Sequence, residues 1–306
     1  MTPRIGYIGL GSLGRHLANS LLQAGFPLTV YDIHKDAAAD LLAAGASWAD
    51  SAADVARASD TVITCLPSPE IVTATVTGEH GILAGLAPGG TWIDMSTNDL
   101  HELQRLAALA AAQGVATLEA PVTGGVHRAA AGMITVLVGG DKSVFERHLP
   151  AFEAMGGKVF YIGDLGQASV IKVITNMLAF IHLVADGEAL MLAKRGGVDL
   201  KLAWDVITAS SGSSFVHETE GQLILNGSYQ INFTMDLARK DLHFAHQMGR
   251  EFGVPLELAS MTEQIFARGR AMYGGGAQST MIVKMLEDAV GTDLRAPGFP
   301  AELAPE

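Results

Sequence analysis

A lysine and an asparagine lie four residues apart in a segment that is otherwise apolar on most sides. The segment GQASVIKVITNMLAF, residues 166–180, predicts a helix in which Lys172 and Asn176 share one face. Apolar surroundings lower the pKa of an amine, and a neutral amine can accept a proton. Asn176 could orient that amine or hydrogen-bond a ligand. Alternatively, Lys172 reaches solvent and Asn176 satisfies a backbone group, which is the usual fate of such residues.

Three glycines in the pattern G-x-G-x-x-G follow the first apolar run. Gly9, Gly11 and Gly14 come after RIGYI and open a helical pattern. In that context they allow a tight turn, close approach of a pyrophosphate and close packing of the helix on the strand. Asp32 closes the next strand, where a carboxylate can bind the adenosine ribose and repel a 2′-phosphate. The pattern predicts NAD as cofactor, with NADP possible because cationic residues follow Asp32.

Several loops that follow predicted strands carry residues that could contact a ligand, because ligands bind at the carboxyl ends of strands in this architecture. They are Leu66, Pro67, Ser96, Thr97, Thr123, Gly124 and Gly125. The Thr123 hydroxyl and the N–H groups of the two glycines would make a cradle for a carboxylate. Each residue also has an ordinary use: the proline as loop punctuation, Ser96 or Thr97 as a cap for the helix starting near Asp99, and the glycines as a flexible turn.

Short apolar runs alternate with helical segments in the first half of the chain. The runs are residues 4–9, 28–32, 61–66, 91–96, 117–122, 134–140 and 158–163. This alternation predicts an α/β fold whose mostly parallel sheet is covered by helices on both faces. We predict that this nucleotide-binding domain comprises residues 1–163.

After residue 163 the strand pattern stops. Residues 168–196, 200–212 and 235–253 each read as helix. The first of these is long enough to connect two domains. We therefore predict an all-helical domain over residues 164–306 that begins with this long helix and serves substrate binding and oligomerisation.

Composition excludes several classes of protein. The 306-residue chain has a formal net charge of −12 and no run of basic residues, which argues against nucleic acid and anionic membranes as partners. Cys65 is the one cysteine, so no intramolecular disulfide can form. The chain has no signal-peptide pattern and no uninterrupted apolar stretch long enough for a simple membrane span. We expect a cytoplasmic protein.

Five stretches carry a resemblance to a known family. They are GYIGLGSLGRHLANSL, WIDMSTND, EAPVTGG, GDLGQASVIKVITN and ARKDLHFA, in that order between residues 6 and 245. On these the chain resembles the β-hydroxyacid dehydrogenase family, which includes the 3-hydroxyisobutyrate dehydrogenases. The resemblance implies an N-terminal Rossmann domain, a long connecting helix and an all-α C-terminal domain.

The resemblance also implies roles for individual residues. Lys172 matches the family's catalytic lysine and Asn176 its polar partner. The substrate residues would be Ser96 in the D-x-S-T motif and Thr123, Gly124 and Gly125, where relatives more often have S-G-G. Cofactor contacts would come from Gly9, Gly11, Leu13, Gly14, Asp32, Leu66, Pro67, Thr97 and Lys240. Leu13 stands where many relatives have methionine.

The implied activity is an NAD-dependent oxidation of a small 3-hydroxy acid, with Lys172 as general acid/base. The runner-up is a reductase for a semialdehyde or aldehyde acid, of the succinic semialdehyde, glyoxylate or tartronate semialdehyde type. A non-catalytic dinucleotide sensor and an imine reductase are disfavoured by Lys172 and the carboxylate cradle. His243 and His246 lack the spacing of a zinc site, so we expect no metal. We expect a homodimer or homotetramer formed through the helical domain; the substrate and the physiological direction stay open.

Overall fold

The computed structural model describes residues 2–305, which divide into two compact units. The first runs to Lys172 and includes Pro305, and the second is Val173–Ala304. The predicted domain boundary at residue 163 lies just before a long helix, Gln167–Arg195. The first unit keeps the initial turns of that helix, so the division between the compact units falls within it.

The first unit has the predicted α/β pattern. Its strands are β1 (Ile5–Ile8), β2 (Leu28–Tyr31), β3 (Ser47–Trp48), β4 (Thr61–Thr64), β5 (Thr91–Asp94), β6 (Ala116–Glu119), β7 (Val122–Thr123), β8 (Ile134–Gly140) and β9 (Gly156–Gly163). Its helices are α1 (Gly14–Gln23), α2 (Ala39–Ala43), α3 (Ala52–Arg57), α4 (Pro69–Thr77), α5 (Leu100–Ala112), α6 (Gly125–Ala130) and α7 (Lys142–Met155), with 3₁₀ turns at Lys35–Ala38 and Ile82–Ala84.

Within residues 2–305 the strands form one nine-stranded sheet. The order is β3-β2-β1-β4-β5-β6-β8-β7, and β9 pairs with β8. The first six strands in that order are parallel, β8 is antiparallel to β6 and β7, and β9 is parallel to β8. The prediction of a mostly parallel sheet is therefore confirmed. The seven predicted runs all form strands, and only the two-residue strands β3 and β7 were not predicted.

Helices cover both faces of the sheet. Successive residues of one strand enter different cores: Tyr7 and Ile63 pack on one face, while Ile8, Val62 and Trp92 pack on the other. Burial on both faces explains why the predicted runs are continuously apolar rather than alternating. The carboxyl ends of β1, β2, β4 and β5 therefore belong to strands that are packed on both faces.

The second unit is helical. Its elements are α8 (Gln167–Arg195, whose first turns belong to the first unit), α9 (Leu200–Thr208), α10 (Phe215–Asn226), α11 (Met235–Phe252), α12 (Glu257–Tyr273) and α13 (Met281–Val290). The core brings together Phe180 and Leu183 of α8 with Leu242, Phe266 and Ile282 from three other helices. The prediction of an all-helical C-terminal part with a long first helix is confirmed.

Length and composition alone would allow α8 to cross a membrane. Its most apolar window has a mean hydropathy of 1.8, and 33% of that window is buried. A core helix of a soluble protein passes the same test, so one such helix is weak evidence. The helix also buries Ser169, Lys172 and Asp186, and Asp186 is paired with His217 of α10. Such polar residues are costly in lipid, so we interpret α8 as a core helix.

Candidate active site

The glycine turn after β1 has the geometry that a dinucleotide needs. Gly9 has φ 97°, and a Cβ there would lie 2.3 Å from the carbonyl oxygen of Cys65. A Cβ on Gly14 would lie 2.1 Å from the carbonyl oxygen of Gly9, whereas Gly11 faces open space. Gly9 and Gly14 are thus required by packing, and Gly11 leaves room for a pyrophosphate. Leu13 packs against the adjacent core at the start of α1.

Asp32 follows β2 and is tied to the glycine turn. Its Oδ2 accepts a hydrogen bond from the backbone N–H of Leu10 at 2.7 Å, and its Oδ1 accepts one from the N–H of His34 at 2.8 Å. Each oxygen retains capacity to accept another hydrogen bond. The carboxylate is therefore fixed beside the glycine turn.

The Ser96 hydroxyl makes a contact that the sequence did not suggest. It is buried, and its hydroxyl accepts a hydrogen bond from the backbone N–H of Leu66 at 2.9 Å. The cap of α5 is Asp99, which accepts from the N–H of Glu102 at 2.9 Å, so the prediction that Ser96 or Thr97 caps this helix is wrong. The Ser96 hydroxyl instead joins the loops after β4 and β5.

A buried aspartate that the sequence did not suggest supports this junction. Asp94 accepts hydrogen bonds from the Thr64 hydroxyl at 2.9 Å, from the Ser96 N–H at 3.1 Å and from the Asn98 amide at 3.0 Å. Burial raises the pKa of the Asp94 carboxyl, against the effect of these donors. Leu66 is half-buried beside this network, and Pro67 is exposed at the loop after β4.

The proposed carboxylate cradle lies between β7 and α6. Gly124 has φ 125° and Gly125 has φ 85°, both in the left-handed region that favours glycine. Thr123 ends β7 and is half-buried, while Gly125 is exposed at the start of α6. The loop therefore combines a hydroxyl with backbone that carries no side chain at two positions, and the side chains of Arg128 and His127 lie beside it.

Lys172 is buried on the first turns of α8. Lys172 is 9% exposed. Burial raises the pKa of the Cys65 thiol to about 12, and the positive charge of Lys172 acts in the opposite direction. Because Cys65 directly follows β4, the lysine lies near the carboxyl edge of the sheet. The alternative interpretation, in which Lys172 reaches solvent at the protein surface, does not fit this burial.

The start of α8 is held by a second unpredicted acid, Glu119 of β6. Its carboxylate accepts the backbone N–H groups of Gly166 at 2.5 Å, Ala168 at 2.9 Å and Ser169 at 3.0 Å. It also accepts the Ser169 hydroxyl. Burial raises the pKa of Glu119 despite these donors.

Asn176 and Lys240 meet at a third unpredicted acid, within the helical unit. The Asn176 amide donates to Asp241 Oδ2 at 2.6 Å, and the Lys240 ammonium lies 3.2 Å from Asp241 Oδ1. Asp241 is 2% exposed. The one signal for it in the sequence was its place beside Lys240 in ARKDLHFA.

A metal site does not emerge from the geometry. Among residues 2–305, no cluster of three or more His, Cys, Asp or Glu side chains could hold a metal ion. His246 Nε2 lies 3.1 Å from Glu263 Oε2, which is an ion-pair arrangement.

Family models match almost the whole chain. One described as the NAD binding domain of 6-phosphogluconate dehydrogenase matches residues 4–163, and one described as NAD-binding of NADP-dependent 3-hydroxyisobutyrate dehydrogenase matches residues 166–286. The fold and the glycine turn thus define a nicotinamide-dependent dehydrogenase.

Curated relatives are similar to this chain over most of their length. The chain is 33% identical to 2-(hydroxymethyl)glutarate dehydrogenase of Eubacterium barkeri over 95% of this chain and 97% of that protein. It is 34% identical to L-threonate dehydrogenase of Escherichia coli K12 (91% and 93%) and to mitochondrial 3-hydroxyisobutyrate dehydrogenase of Homo sapiens (87% and 81%). The chain belongs to the β-hydroxyacid dehydrogenase family and is a nicotinamide-dependent oxidoreductase that acts on a hydroxyl group.

Solved structures give the same assignment. Mycobacterium tuberculosis 3-hydroxyisobutyrate dehydrogenase with L-serine superposes with a TM-score of 0.84 at 30% identity, covering 94% of this chain and 99% of that one. An imine reductase from Pseudomonas sp. has a TM-score of 0.62 at 18% identity, covering 94% of this chain and 100% of that one. The second likeness shows a shared fold alone.

Proposed function

We propose that the protein transfers a hydride between NAD and a small 3-hydroxy acid, with Lys172 as the general acid/base. The observation that carries the proposal is the position of Lys172. Its side chain is buried, and its charge acts on Cys65, at the sheet edge where the glycine turn also lies. A base must lie beside the atoms that react, and this is the edge at which the fold binds nicotinamide.

In the proposed reaction an alcohol loses two hydrogens, one as a hydride from carbon and one as a proton from the hydroxyl group. Bound nicotinamide supplies the hydride acceptor. Lys172 takes the hydroxyl proton while the carbon–hydrogen bond breaks, so that the alcohol becomes a carbonyl and the amine an ammonium. In the reverse direction the ammonium returns its proton to the forming alkoxide.

The cradle after β7 would hold the substrate carboxylate. Thr123 supplies a hydroxyl, and Gly124 and Gly125 allow an anion to approach the backbone closely. Ser96 would line the site of the substrate carboxylate from the loop after β5, where its hydroxyl accepts from the Leu66 N–H and hydrogen-bonds Asp94. In the helical unit, the Asn176 amide donates to Asp241, and Asn176 stays a proposed catalytic residue.

Asp32 supports NAD over NADP. Its charge is fixed by two backbone N–H groups at the place where a 2′-phosphate would have to lie. NADP use would require the neighbouring cationic residues to offset that repulsion.

The main alternative is preferential reduction of a semialdehyde on the same scaffold. Both readings need the same acid/base and the same cradle, so the discriminator is which half-reaction has the higher kcat/KM. The sensor hypothesis has lost its basis, because the family assignment already makes the chain an oxidoreductase.

Assembly and location complete the proposal. Several large apolar side chains of the helical unit are exposed, among them Leu192, Leu202, Leu258 and Met261. Their number supports a homodimer or homotetramer formed through that unit. The net charge of −12 and the lack of a run of basic residues in the sequence support a cytoplasmic enzyme without nucleic-acid or membrane partners.

A substrate screen tests the proposal directly. Small 3-hydroxy acids and semialdehydes would be assayed with NAD(H) and NADP(H) by the absorbance of reduced nicotinamide, alongside the matching uncharged amides. We expect turnover of at least one 3-hydroxy acid with NAD and a loss of about tenfold or more in kcat/KM for its amide. Equal turnover of the acid and the amide would refute the carboxylate cradle, and preference for the semialdehyde would favour the alternative.

A further inference from the structure

We propose that Glu119 is a positioning residue for the reaction, which fixes the first turn of α8 and thereby the place of Lys172. The inference rests on the proposed role of Lys172. It adds a residue that touches neither cofactor nor substrate.

The Glu119 carboxylate replaces a local helix cap. The first N–H groups of a helix have no partner within the helix. Here those of Ala168 and Ser169 donate to Glu119, that of Gly166 does so too, and that of Gln167 donates to the carbonyl oxygen of Asp164 at 3.1 Å. The start of α8 is thus tied to a strand about 50 residues away in sequence.

A glycine on the neighbouring strand leaves space for the Glu119 carboxylate. Glu119 is 1% exposed, and its antiparallel neighbour across the sheet is Gly139 of β8. A Cβ on Gly139 would lie 2.4 Å from Glu119 Oε1. The glycine therefore makes the space into which this carboxylate folds toward α8.

All the accepting positions of the carboxylate are used by the protein. Oε1 accepts the N–H groups of Gly166 and Ala168, and Oε2 accepts the N–H and the hydroxyl of Ser169. Two bonds at each oxygen account for a carboxylate's usual capacity. Glu119 thus has nothing left with which to bind a substrate, and its effect on the reaction passes through α8.

Lys172 lies one turn beyond this anchor. Ser169 and Lys172 are three residues apart and therefore on one face of the helix, and both are buried. Glu119 also ends β6, and β7, the strand that contains Thr123, begins three residues later. One side chain thus joins the approach to the proposed substrate cradle with the helix that carries the proposed base.

A double-mutant cycle separates positioning from a general loss of structure. Glu119→Gln keeps the shape and one acceptor oxygen but places an NH₂ group against the donors of Ser169. We expect kcat to fall about tenfold or more, while KM and the NADH dissociation constant stay within about twofold. In a Lys172→Met background, Glu119→Gln should lower the residual rate by less than about twofold, because there is no longer a base to misplace. Glu153→Gln, at an exposed site on α7, is the matched control and should leave kcat unchanged.

Two outcomes would overturn the inference: wild-type kcat in Glu119→Gln, or an equal loss with and without Lys172. If Glu119→Gln does not fold, Ser169→Ala tests the same contact more gently, with an expected fall in kcat of about two- to fivefold and none in the Lys172→Met background. A Lys172→Met enzyme with full activity would instead refute the proposed function, whatever Glu119 does, so the two failures can be told apart.

Discussion

Asp32 shows how a single carboxylate can serve both structure and selectivity. It accepts two backbone N–H groups, from Leu10 in the glycine turn and from His34, and we propose that it also binds the adenosine ribose. The proposed effect on cofactor choice depends on its charge, whereas its effect on the turn depends on its oxygen atoms.

Asp32→Asn should separate these two effects. The amide keeps an oxygen for one of the backbone donors but loses the charge, so we expect the KM for NAD to rise about tenfold and the preference over NADP to shrink. Steady-state kinetics with both cofactors measure this. Asp36→Asn, at an exposed residue in the following 3₁₀ turn, is the control. An unchanged NAD-to-NADP ratio in Asp32→Asn would show that this carboxylate does not select the cofactor.

The sequence reveals some residues of the candidate site and hides others for a physical reason. Gly9, Asp32 and Lys172 could be proposed from the sequence, because Gly9 and Asp32 stand in a specific local pattern and Lys172 stands in a stretch that carries the family resemblance. Glu119 and Asp241 could not, because their partners are about 50 and 65 residues away and no local pattern records such contacts. Buried acids that orient other side chains become visible only when the chain is folded.

At the scale of the element, α8 carries buried polar groups in both units. Near its start Ser169 is bound by Glu119; further along, Asp186 pairs with His217 of α10 at 2.5 Å. Both ring nitrogens of His217 face acceptors, since Nε2 lies 3.0 Å from the Trp204 carbonyl oxygen. This arrangement suits an imidazolium, and the pKa of His217 is raised by Asp186 although burial acts in the opposite sense.

This cluster predicts how the stability of the helical unit depends on pH. A His217 pKa above its unfolded value stabilises the fold fully below about pH 6.5, and that contribution is lost as pH rises through the folded pKa. Burial and the nearby Asp186 raise the pKa of Glu220 from 4.5 to about 8, so ionisation of Glu220 destabilises the fold progressively as the pH rises from 4.5 to about 8. His217 and Glu220 therefore both make the fold less stable as the pH rises, and Glu218 also raises the pKa of His217.

We therefore expect the melting temperature of the helical unit to fall between pH 5.5 and pH 8.5. Differential scanning calorimetry measures it, with Glu220→Gln as the comparison, because a side chain that stays neutral should flatten the decline. Glu188→Gln on α8 is a control, since Glu188 is exposed. A wild-type melting temperature that rises over this range would contradict the assignment of charges in the cluster.

At the scale of the whole molecule, the sequence predicted more of the fold than of the chemistry. Continuous apolar runs such as residues 134–140 predict strands because a sheet covered on both faces buries every position. The two-residue strands β3 and β7 were missed, because so short a segment has no periodicity to read. The choice among hydroxy acids depends on a pocket shape that no motif encodes.

Assembly through the helical unit gives a prediction at the same scale. Leu258 and Met261 are three residues apart on α12 and are 65% and 66% exposed. Replacing both with glutamate should shift the protein toward monomer in light scattering coupled to size exclusion, because charged groups are costly in an apolar interface. Met133→Glu, at a 52% exposed site in the Rossmann domain, is the matched control. An unchanged mass for the α12 variant would remove this face from the interface.

The role of Lys172 is tested most directly by single-turnover hydride transfer in Lys172→Met, with Lys142→Met at an exposed site of α7 as control. Methionine keeps the length of the side chain but cannot transfer a proton. With cofactor and substrate saturating, we expect a rate about 10²- to 10⁴-fold below that of the unmodified enzyme, with NADH affinity within about twofold. A rate equal to that of the unmodified enzyme would show that Lys172 is not the general acid/base and that another group accepts the proton.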